Sequence, residues 1–101
     1  MTDSKLRKAI DNYATEHELT VKLFDNQAYD ESIVGITDSG RLVYDYSLMV
    51  EELAKEDGFD LESAVEWIDY NTLRALPYFG DEAPIILMHN KDELMDLYGE
   101  E

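Results

Sequence analysis

The segment from Ser32 to Tyr46, SIVGITDSGRLVYDY, places alternating apolar residues on either side of a polar turn. If Asp38, Ser39 and Gly40 form a three-residue loop with Gly40 in the left-handed conformation, Ile36 lies opposite Leu42 and Val34 opposite Tyr44. One face of this β-hairpin then carries Val34, Ile36, Leu42, Tyr44 and Tyr46, and the other carries Thr37, Arg41 and Asp45. A slip of one residue would scatter the apolar set, so the pattern fixes the register.

The residues before the hairpin predict a helix and then a strand. Apolar residues and one histidine recur every three or four positions, as on one face of a helix: Leu6, Ala9, Ile10, Tyr13, Ala14 and His17. Thr2, Asp3 and Ser4 are candidate N-caps. The alternation in Thr20 to Asp25 predicts a strand, and the polar segment from Asn26 to Glu31 predicts a loop.

Two further helices are predicted after the hairpin. Ser47 is the expected N-cap of the first, which Gly58 ends. Its expected buried face consists of Met49, Val50, Leu53 and Ala54. Asp60 is the expected N-cap of the second, which runs to about Ala75 and ends before Pro77. Its expected core residues are Leu61, Ala64, Val65 and Ile68.

The carboxyl-terminal part predicts a strand and a last helix. Pro84 to Met88 is a short apolar strand, buried on both faces if it is central, and Asn90 with Glu93 forms a capping box before Leu94, Met95, Leu97 and Tyr98. With 101 residues, 45% of them hydrophobic, the chain suits one domain. We expect a single α+β domain over residues 1–101, in which a small antiparallel or mixed sheet packs against three to four helices.

The charge is large and unevenly placed. The chain has 24 acidic and 8 basic residues and a net charge of −16, yet residues 1–22 sum to zero. A surface this acidic argues against direct binding to nucleic acid or to an anionic membrane. The start, MTDSKLRKAID, lacks the apolar run of a signal peptide, no segment approaches the length of a membrane span, and cysteine is absent. These features predict a cytoplasmic protein.

The sequence presents no catalytic, cofactor or metal motif. Nucleophilic catalysis needs a nucleophile beside an oriented base, and the histidines are His17, expected at the boundary of the first helix, and His89, expected in a turn. Acidic residues surround Gly58 without the ligand order of a calcium loop. We therefore expect no enzyme, cofactor or dedicated metal site. An enzyme that uses His89 with Asp81 or Glu82 is a remote alternative.

Acidic side chains recur on the two predicted helices. Glu62, Glu66 and Asp69 fall within a narrow helical arc, about 5 to 6 Å apart, which resembles the spacing of phosphates along a nucleic-acid strand. A second acidic group on the preceding helix consists of Glu51, Glu52, Glu56 and Asp57. Two interpretations stay open: an ordinary solvated helix face, or a negatively charged docking surface.

Trp67, Tyr70 and Arg74 recur at helical spacing away from the predicted core stripe. These residue types are enriched in the binding hot spots of protein interfaces. Tyr78 and Phe79 are possible members of the same patch. The alternative is a helix buried on two sides, with Trp67 packed under the carboxyl-terminal segment.

The stretch from Ser32 to Leu87, above all AVEWIDYNTLRALPY, resembles a family of short acidic proteins encoded on prophages, plasmids and conjugative elements of Gram-positive bacteria. Such proteins often look like inhibitors of host defence nucleases, including anti-CRISPR proteins. The resemblance implies a role in blocking a DNA-binding surface and carries over no functional residues.

Charge and resemblance together favour a non-enzymatic inhibitor or DNA mimic that binds a protein partner with a basic surface, such as a Cas9-type effector. Glu51, Glu52, Glu62, Glu66 and Asp69 would supply the negative charge, and Trp67, Tyr70 and Arg74 the anchoring contacts. The alternative is a small adaptor or homodimer that uses Trp67, Tyr70, Tyr78 and Phe79, with the acids serving solubility only.

The segregated charge predicts a salt-dependent fold. Acidic groups that repel one another in the compact state are screened by salt, so the melting temperature at pH 7 should be higher in about 500 mM than in about 20 mM salt. Crowding should also raise carboxyl pKa values and make the fold more stable as the pH falls from neutral into the window of about pH 4 to 6. Thermal melts test both expectations, and a melting temperature that does not rise with salt contradicts a segregated acidic surface.

Overall fold

A mixed sheet of three strands forms the centre of the computed structural model, which describes residues 4–99. The strand order is β1-β2-β3, with β1 antiparallel to β2 and β2 parallel to β3. Helical segments pack around the sheet, so the predicted α+β class is confirmed, with the mixed sheet of the two alternatives. No helix within the described range is long and apolar enough to cross a bilayer.

The chain order alternates regular and irregular helices with the strands. The elements are α1 (Ser4–His17), a 3-10 helix (Gln27–Ser32), β1 (Ile33–Ile36), β2 (Leu42–Asp45), α2 (Tyr46–Asp57), α3 (Leu61–Trp67), a π-helical turn (Ile68–Thr72), a second 3-10 segment (Leu73–Glu82), β3 (Ile85–Leu87) and α4 (Lys91–Tyr98). The parallel β2–β3 pair needs a long crossover, and the helices between these strands provide it.

The predicted hairpin turn is confirmed, whereas the predicted pairing of the two strands is confirmed only next to the turn. Gly40 has φ +90° and Ile36 pairs with Leu42 as predicted. Beyond that pair a β-bulge lies between Ile33 and Gly35, so Tyr44 pairs with Ile33 and not with Val34. Because the extra residue re-aims the strand, Val34 is 52% exposed. The predicted pairing of Val34 with Tyr44 is wrong.

Aromatic rings build the core beside the sheet. Phe24 packs against Tyr44 with ring centroids 4.7 Å apart, and against Tyr29 and Phe79 at 5.7 Å each. The backbone N–H of Phe24 donates to the Tyr44 hydroxyl over 3.2 Å. Burial raises the pKa of this fully enclosed phenol to about 12, so it stays a neutral hydrogen-bond acceptor.

The segment before the hairpin differs from its prediction. Thr20 to Asp25 forms no strand, and its buried Phe24 is held by the tertiary contacts just described. The predicted loop Asn26–Glu31 is instead largely the 3-10 helix Gln27–Ser32, which the Asn26 side chain caps by accepting from the Ala28 N–H. Local alternation does not distinguish a strand from an extended segment that anchors a single ring.

The first helix follows its prediction in part. Ile10 is buried and Leu6 packs against the core, whereas Ala9 and His17 are exposed. Of the candidate N-caps, Thr2 and Asp3 lie outside the described residues, and Ser4 is already helical.

Helix α2 begins two residues earlier than predicted. Asp45, and not Ser47, is its N-cap, with the Asp45 carboxylate accepting from the Leu48 N–H over 3.1 Å. The helix thus takes Tyr46 from the end of the predicted strand. Met49, Val50 and Leu53 are buried and Ala54 packs against them, as predicted. Gly58 ends the helix in the left-handed conformation, φ +74°, which confirms its role.

The predicted helix from Asp60 to about Ala75 is α-helical only as far as Trp67. Asp60 caps it as predicted, accepting from the Ser63 N–H over 2.7 Å, and Ala64 and Ile68 are buried. Leu61, predicted to be in the core, is 59% exposed. After Trp67 the chain widens into the π turn, where the Leu73 N–H donates to the Ile68 carbonyl, and then into a 3-10 segment that contains Pro77.

A tertiary hydrogen bond accompanies this irregularity. The hydroxyl groups of Tyr29 and Thr72 lie 2.9 Å apart in the core, and both residues are buried. The bond fixes the end of the π turn to the 3-10 helix Gln27–Ser32. A helical wheel at 100° per residue cannot represent a turn that holds an extra residue.

The carboxyl-terminal elements are confirmed with one qualification. β3 lies at the sheet edge and is half-buried, so it is not a central strand. The Asn90–Glu93 capping box of α4 is present, and the Ser47 hydroxyl donates to Glu93 over 2.6 Å, which joins α4 to α2.

Two carboxyl groups at helix caps have lowered pKa values, whereas crowding of the acidic groups was predicted to raise carboxyl pKa values. The Ser63 N–H lowers the pKa of Asp60, and the Ser47 hydroxyl, followed by the Asn90 N–H, lowers the pKa of Glu93. A lowered folded-state pKa adds stability above the unfolded value of about 4, and this contribution is lost as the pH falls through the folded value. At these two positions acid therefore weakens the fold.

A buried ion pair connects α1 to the rest of the molecule. Asp30 is 1% exposed, and Arg7 donates to its two oxygens over 2.6 and 3.0 Å. Arg7 also donates to the Phe24 carbonyl over 3.3 Å. One side chain thus neutralises the buried carboxylate and holds the extended segment in place.

Replacing Arg7 should destabilise the fold strongly. Arg7→Met leaves the Asp30 carboxylate buried without a cation, and should lower the free energy of unfolding by about 3 kcal/mol. Lys8→Met is the matched control, because Lys8 is exposed and its side chain makes no hydrogen bond or ion pair with a described residue. Urea unfolding measures both, and equal stability of the two variants would show that the ion pair does not support the fold.

Candidate functional site

An open groove of about 650 Å³ lies along α3 and the π turn. Its lining combines aromatic, acidic and small polar side chains: Phe59, Ser63, Glu66, Trp67, Asp69, Tyr70 and Asn71. The acidic and aromatic patterns of the sequence therefore meet at one concave surface. We call this surface the groove.

The aromatic lining comes from three positions. The rings of Phe59 and Trp67 lie 5.9 Å apart, and Trp67 and Tyr70 are 46% and 70% exposed. Since Trp67 packs beside Phe59 and keeps nearly half its surface exposed, the alternative of a tryptophan beneath the carboxyl-terminal segment is wrong. The side-chain amide of Asn71 donates to the Trp67 carbonyl over 3.2 Å and supports the local backbone.

The acidic lining consists of Glu66 and Asp69. Asp69 accepts a hydrogen bond from the Tyr46 hydroxyl over 2.8 Å, which ties the π turn to the start of α2. Burial, followed by this bond to Asp69, raises the pKa of Tyr46 to about 12. Glu66 is exposed and its side chain makes no hydrogen bond or ion pair with a described residue. Glu62, predicted on the same arc, is also exposed but does not line the groove.

Of the other residues predicted for the exposed patch, Arg74 and Tyr78 lie on the surface and Phe79 packs in the core. The Arg74 guanidinium lies 4.7 Å from the centre of the Tyr70 ring, a cation–π contact. Tyr78 is 90% exposed and does not line the groove. Phe79 packs on Phe24 in the core, so it is not part of an exposed patch.

The second acidic group lies on the adjacent helix. Glu51, Glu56 and Asp57 are exposed on α2, which packs against α3. Glu52 lies 3.4 Å from Lys55, and its side chain is only 17% exposed. Of the predicted charge-bearing residues, Glu52 is therefore the least available to a partner.

Several basic residues are engaged elsewhere in the fold. Lys22 donates to the Phe79 carbonyl over 2.7 Å and lies 3.4 Å from Glu82. Arg41 donates to the Ala83 carbonyl over 2.7 Å, and Arg7 holds Asp30. Residues 51–69 carry eight acidic side chains and only Lys55 as a base. Lys55, together with Arg74 against Tyr70, therefore compensates only part of the negative charge beside the groove.

The histidines lie apart from the groove. His17 is exposed and its ring lies 4.3 Å from that of Tyr13. His89 Nδ1 is 3.9 Å from Glu93, while Glu82, its suggested partner, pairs with Lys22. Within residues 4–99 no group of three or more metal-ligating side chains lies close enough to hold an ion.

Sequence reasoning missed two features of the surface. Phe59 directly follows the left-handed Gly58, and a hydrophobic residue at this position commonly packs back on its helix, so a signal for its structural importance was present. The second feature is an apolar surface on α4, where Leu94, Met95, Leu97 and Tyr98 are 49% to 69% exposed. Amphipathic spacing alone does not show whether an apolar face is covered.

Comparisons of the chain with protein-family models, with curated proteins and with solved structures found no match. The resemblance to mobile-element proteins stays a prediction.

Tyr46 should titrate late and make the fold sensitive to alkali. A phenol whose folded pKa is about 12 keeps its proton while the unfolded chain loses it near pH 10. The stability it contributes is therefore present below about pH 10 and is lost as the pH rises toward the folded value. Ultraviolet titration of tyrosinate should show one fewer late-titrating group in Tyr46→Phe. Tyr78→Phe, at an exposed ring, is the control for removing a hydroxyl, and both variants should keep the folded circular dichroism spectrum at pH 7. An unchanged late titration in Tyr46→Phe would contradict the burial of the Tyr46 hydroxyl and its bond to Asp69.

Proposed function

We propose that this chain is a non-enzymatic inhibitor that binds the basic nucleic-acid-binding face of a nucleic-acid enzyme. The observation that carries the proposal is the groove, because it joins exposed anchoring residues to a surface with little compensating positive charge. A Cas9-type effector, whose channel holds nucleic acid in a positively charged cleft, is the proposed partner. The site of action would be the cytoplasm.

The charge arrangement supports mimicry of a nucleic-acid backbone. Glu62 and Glu66 lie one helical turn apart on α3, about 5 to 6 Å from each other, and both are exposed. Glu51 on α2, which precedes α3, and Asp69 in the π turn, which follows α3, extend the negative surface. A basic cleft that binds phosphates would be attracted to such a surface at long range.

The aromatic residues would supply affinity and position. Exposed acids give salt-sensitive attraction but little binding energy in water, whereas partly exposed Trp67 and Tyr70 offer apolar surface to bury. Arg74 is held against Tyr70 and presents its donors beside the same surface. A partner would therefore meet charge at the rim and aromatic rings at the centre.

Competition with DNA tests the proposal. The protein should bind a purified Cas9-type effector, compete with its DNA, and lose about tenfold or more in affinity between about 100 and 500 mM salt. The double variant Glu62→Gln with Glu66→Gln should bind several-fold more weakly. Asp92→Asn with Asp96→Asn on α4 is the matched control, since it removes the same charge from another surface. Binding that does not compete with DNA would refute mimicry.

A second candidate function is a homodimer or adaptor that uses apolar contacts. The exposed apolar residues of α4 favour it, because apolar surface of this kind is normally buried in a partner. In that case Leu94→Ser with Leu97→Ser would abolish association, while the glutamate double variant would not. Light scattering at high protein concentration distinguishes a stable dimer from a monomer.

A further inference from the structure

We propose that the groove binds the guanidinium group of an arginine side chain from the partner. This inference rests on the proposed function in taking the partner surface to be basic, but it names the chemical group that is recognised. Three aromatic rings and two carboxylates line the groove, which has a volume of about 650 Å³. That is room for an arginine side chain together with the peptide on either side of it.

The rings provide faces on which a cation can stack. Tryptophan is the best aromatic partner for a cation, followed by tyrosine and phenylalanine, and the groove contains one of each. The molecule already shows this chemistry, because the Arg74 guanidinium lies 4.7 Å from the centre of the Tyr70 ring. Arg74 itself does not line the groove, so it does not fill the space.

The carboxylates select a positive charge and can orient it. Glu66 makes no side-chain hydrogen bond or ion pair with a described residue. Asp69 uses Oδ1 to accept from Tyr46, which fixes its carboxylate and leaves Oδ2 without a described partner. A guanidinium offers five donors in a planar fork that pairs with carboxylates while its face stacks on a ring.

Arginine fits this lining better than the other classes of ligand. Lysine carries a compact, strongly hydrated charge that neither stacks nor pairs through two parallel bonds. An anion would be repelled by Glu66 and Asp69. A second copy of this chain would bring a net charge of −16 toward an acidic surface. A purely apolar side chain would leave both carboxylates without a counter-charge.

The chain contains a single tryptophan, Trp67, which lines the groove and reports binding directly. The probe is the peptide acetyl-Gly-Gly-Arg-Gly-Gly-amide, compared with the same peptide carrying citrulline, which has the shape of arginine without its charge. The arginine peptide should change Trp67 fluorescence saturably, in the millimolar range. The citrulline peptide should bind at least fivefold more weakly, and salt should weaken the arginine peptide selectively.

Matched variants locate the site. Glu66→Gln should weaken the arginine peptide several-fold, while Asp96→Asn, at an exposed position on α4 outside the groove, should not. Tyr70→Ala should weaken it, while Tyr78→Ala should not. Circular dichroism and urea unfolding of each variant check whether the fold is retained. Equal binding of the two peptides, equal effects of Glu66→Gln and Asp96→Asn, or no change of Trp67 fluorescence at about 100 mM peptide, above the expected millimolar range, overturns the inference.

The outcomes separate this inference from the proposed function. If the protein competes with DNA for the effector but the arginine peptide does not bind the groove, the inhibitor proposal stands and the arginine site is refuted. If the arginine peptide binds but the protein does not compete with DNA for an effector, the arginine site is supported and inhibition by mimicry is refuted.

Discussion

The pairing of Arg7 with Asp30 is the contact on which the rest of the structure depends. A carboxylate that is 1% exposed needs a cation and hydrogen bonds, and Arg7 supplies both while holding the Phe24 carbonyl. Asp30 lies in the 3-10 helix that also carries Tyr29, and Tyr29 bonds Thr72 at the end of the π turn. A continuous set of contacts thus runs from the amino-terminal helix to the groove.

This arrangement explains how a chain of charge −16 can fold and keep an acidic surface. The few basic side chains with long-range partners, such as Arg7, Lys22 and Arg41, lie against other segments and not beside the groove. Several acids are also structural, since Asp45 and Asp60 cap α2 and α3. What remains uncompensated on α2 and α3 is available for recognition. Asp69 has both roles, since it accepts a hydrogen bond from Tyr46 and also lines the groove.

Sequence reasoning succeeded where the signal is local and failed where a distant contact decides. Gly40, Gly58, Asp60 and the Asn90–Glu93 box act through neighbouring backbone groups, and all are confirmed. The π turn ends at Thr72, which bonds Tyr29 from 43 positions away, and no helical wheel contains that long-range contact. At the groove, Trp67, Glu66, Asp69 and Tyr70 were identified from spacing. The exposure of α4 was not, because it depends on how neighbouring elements pack. Phe59 was not either, although its position after Gly58 is a local signal.

The parallel pairing of β2 with β3 has a consequence for how this protein folds. β1 and β2 are joined by a tight turn, and such hairpins close in microseconds. β3 instead meets β2 only after a closed loop of residues 46–84, and the entropy of loop closure must be overcome before this contact adds stability. The groove lies inside that loop. We therefore expect the hairpin to order first, and the segment that carries the groove to become fixed in the step that completes the sheet.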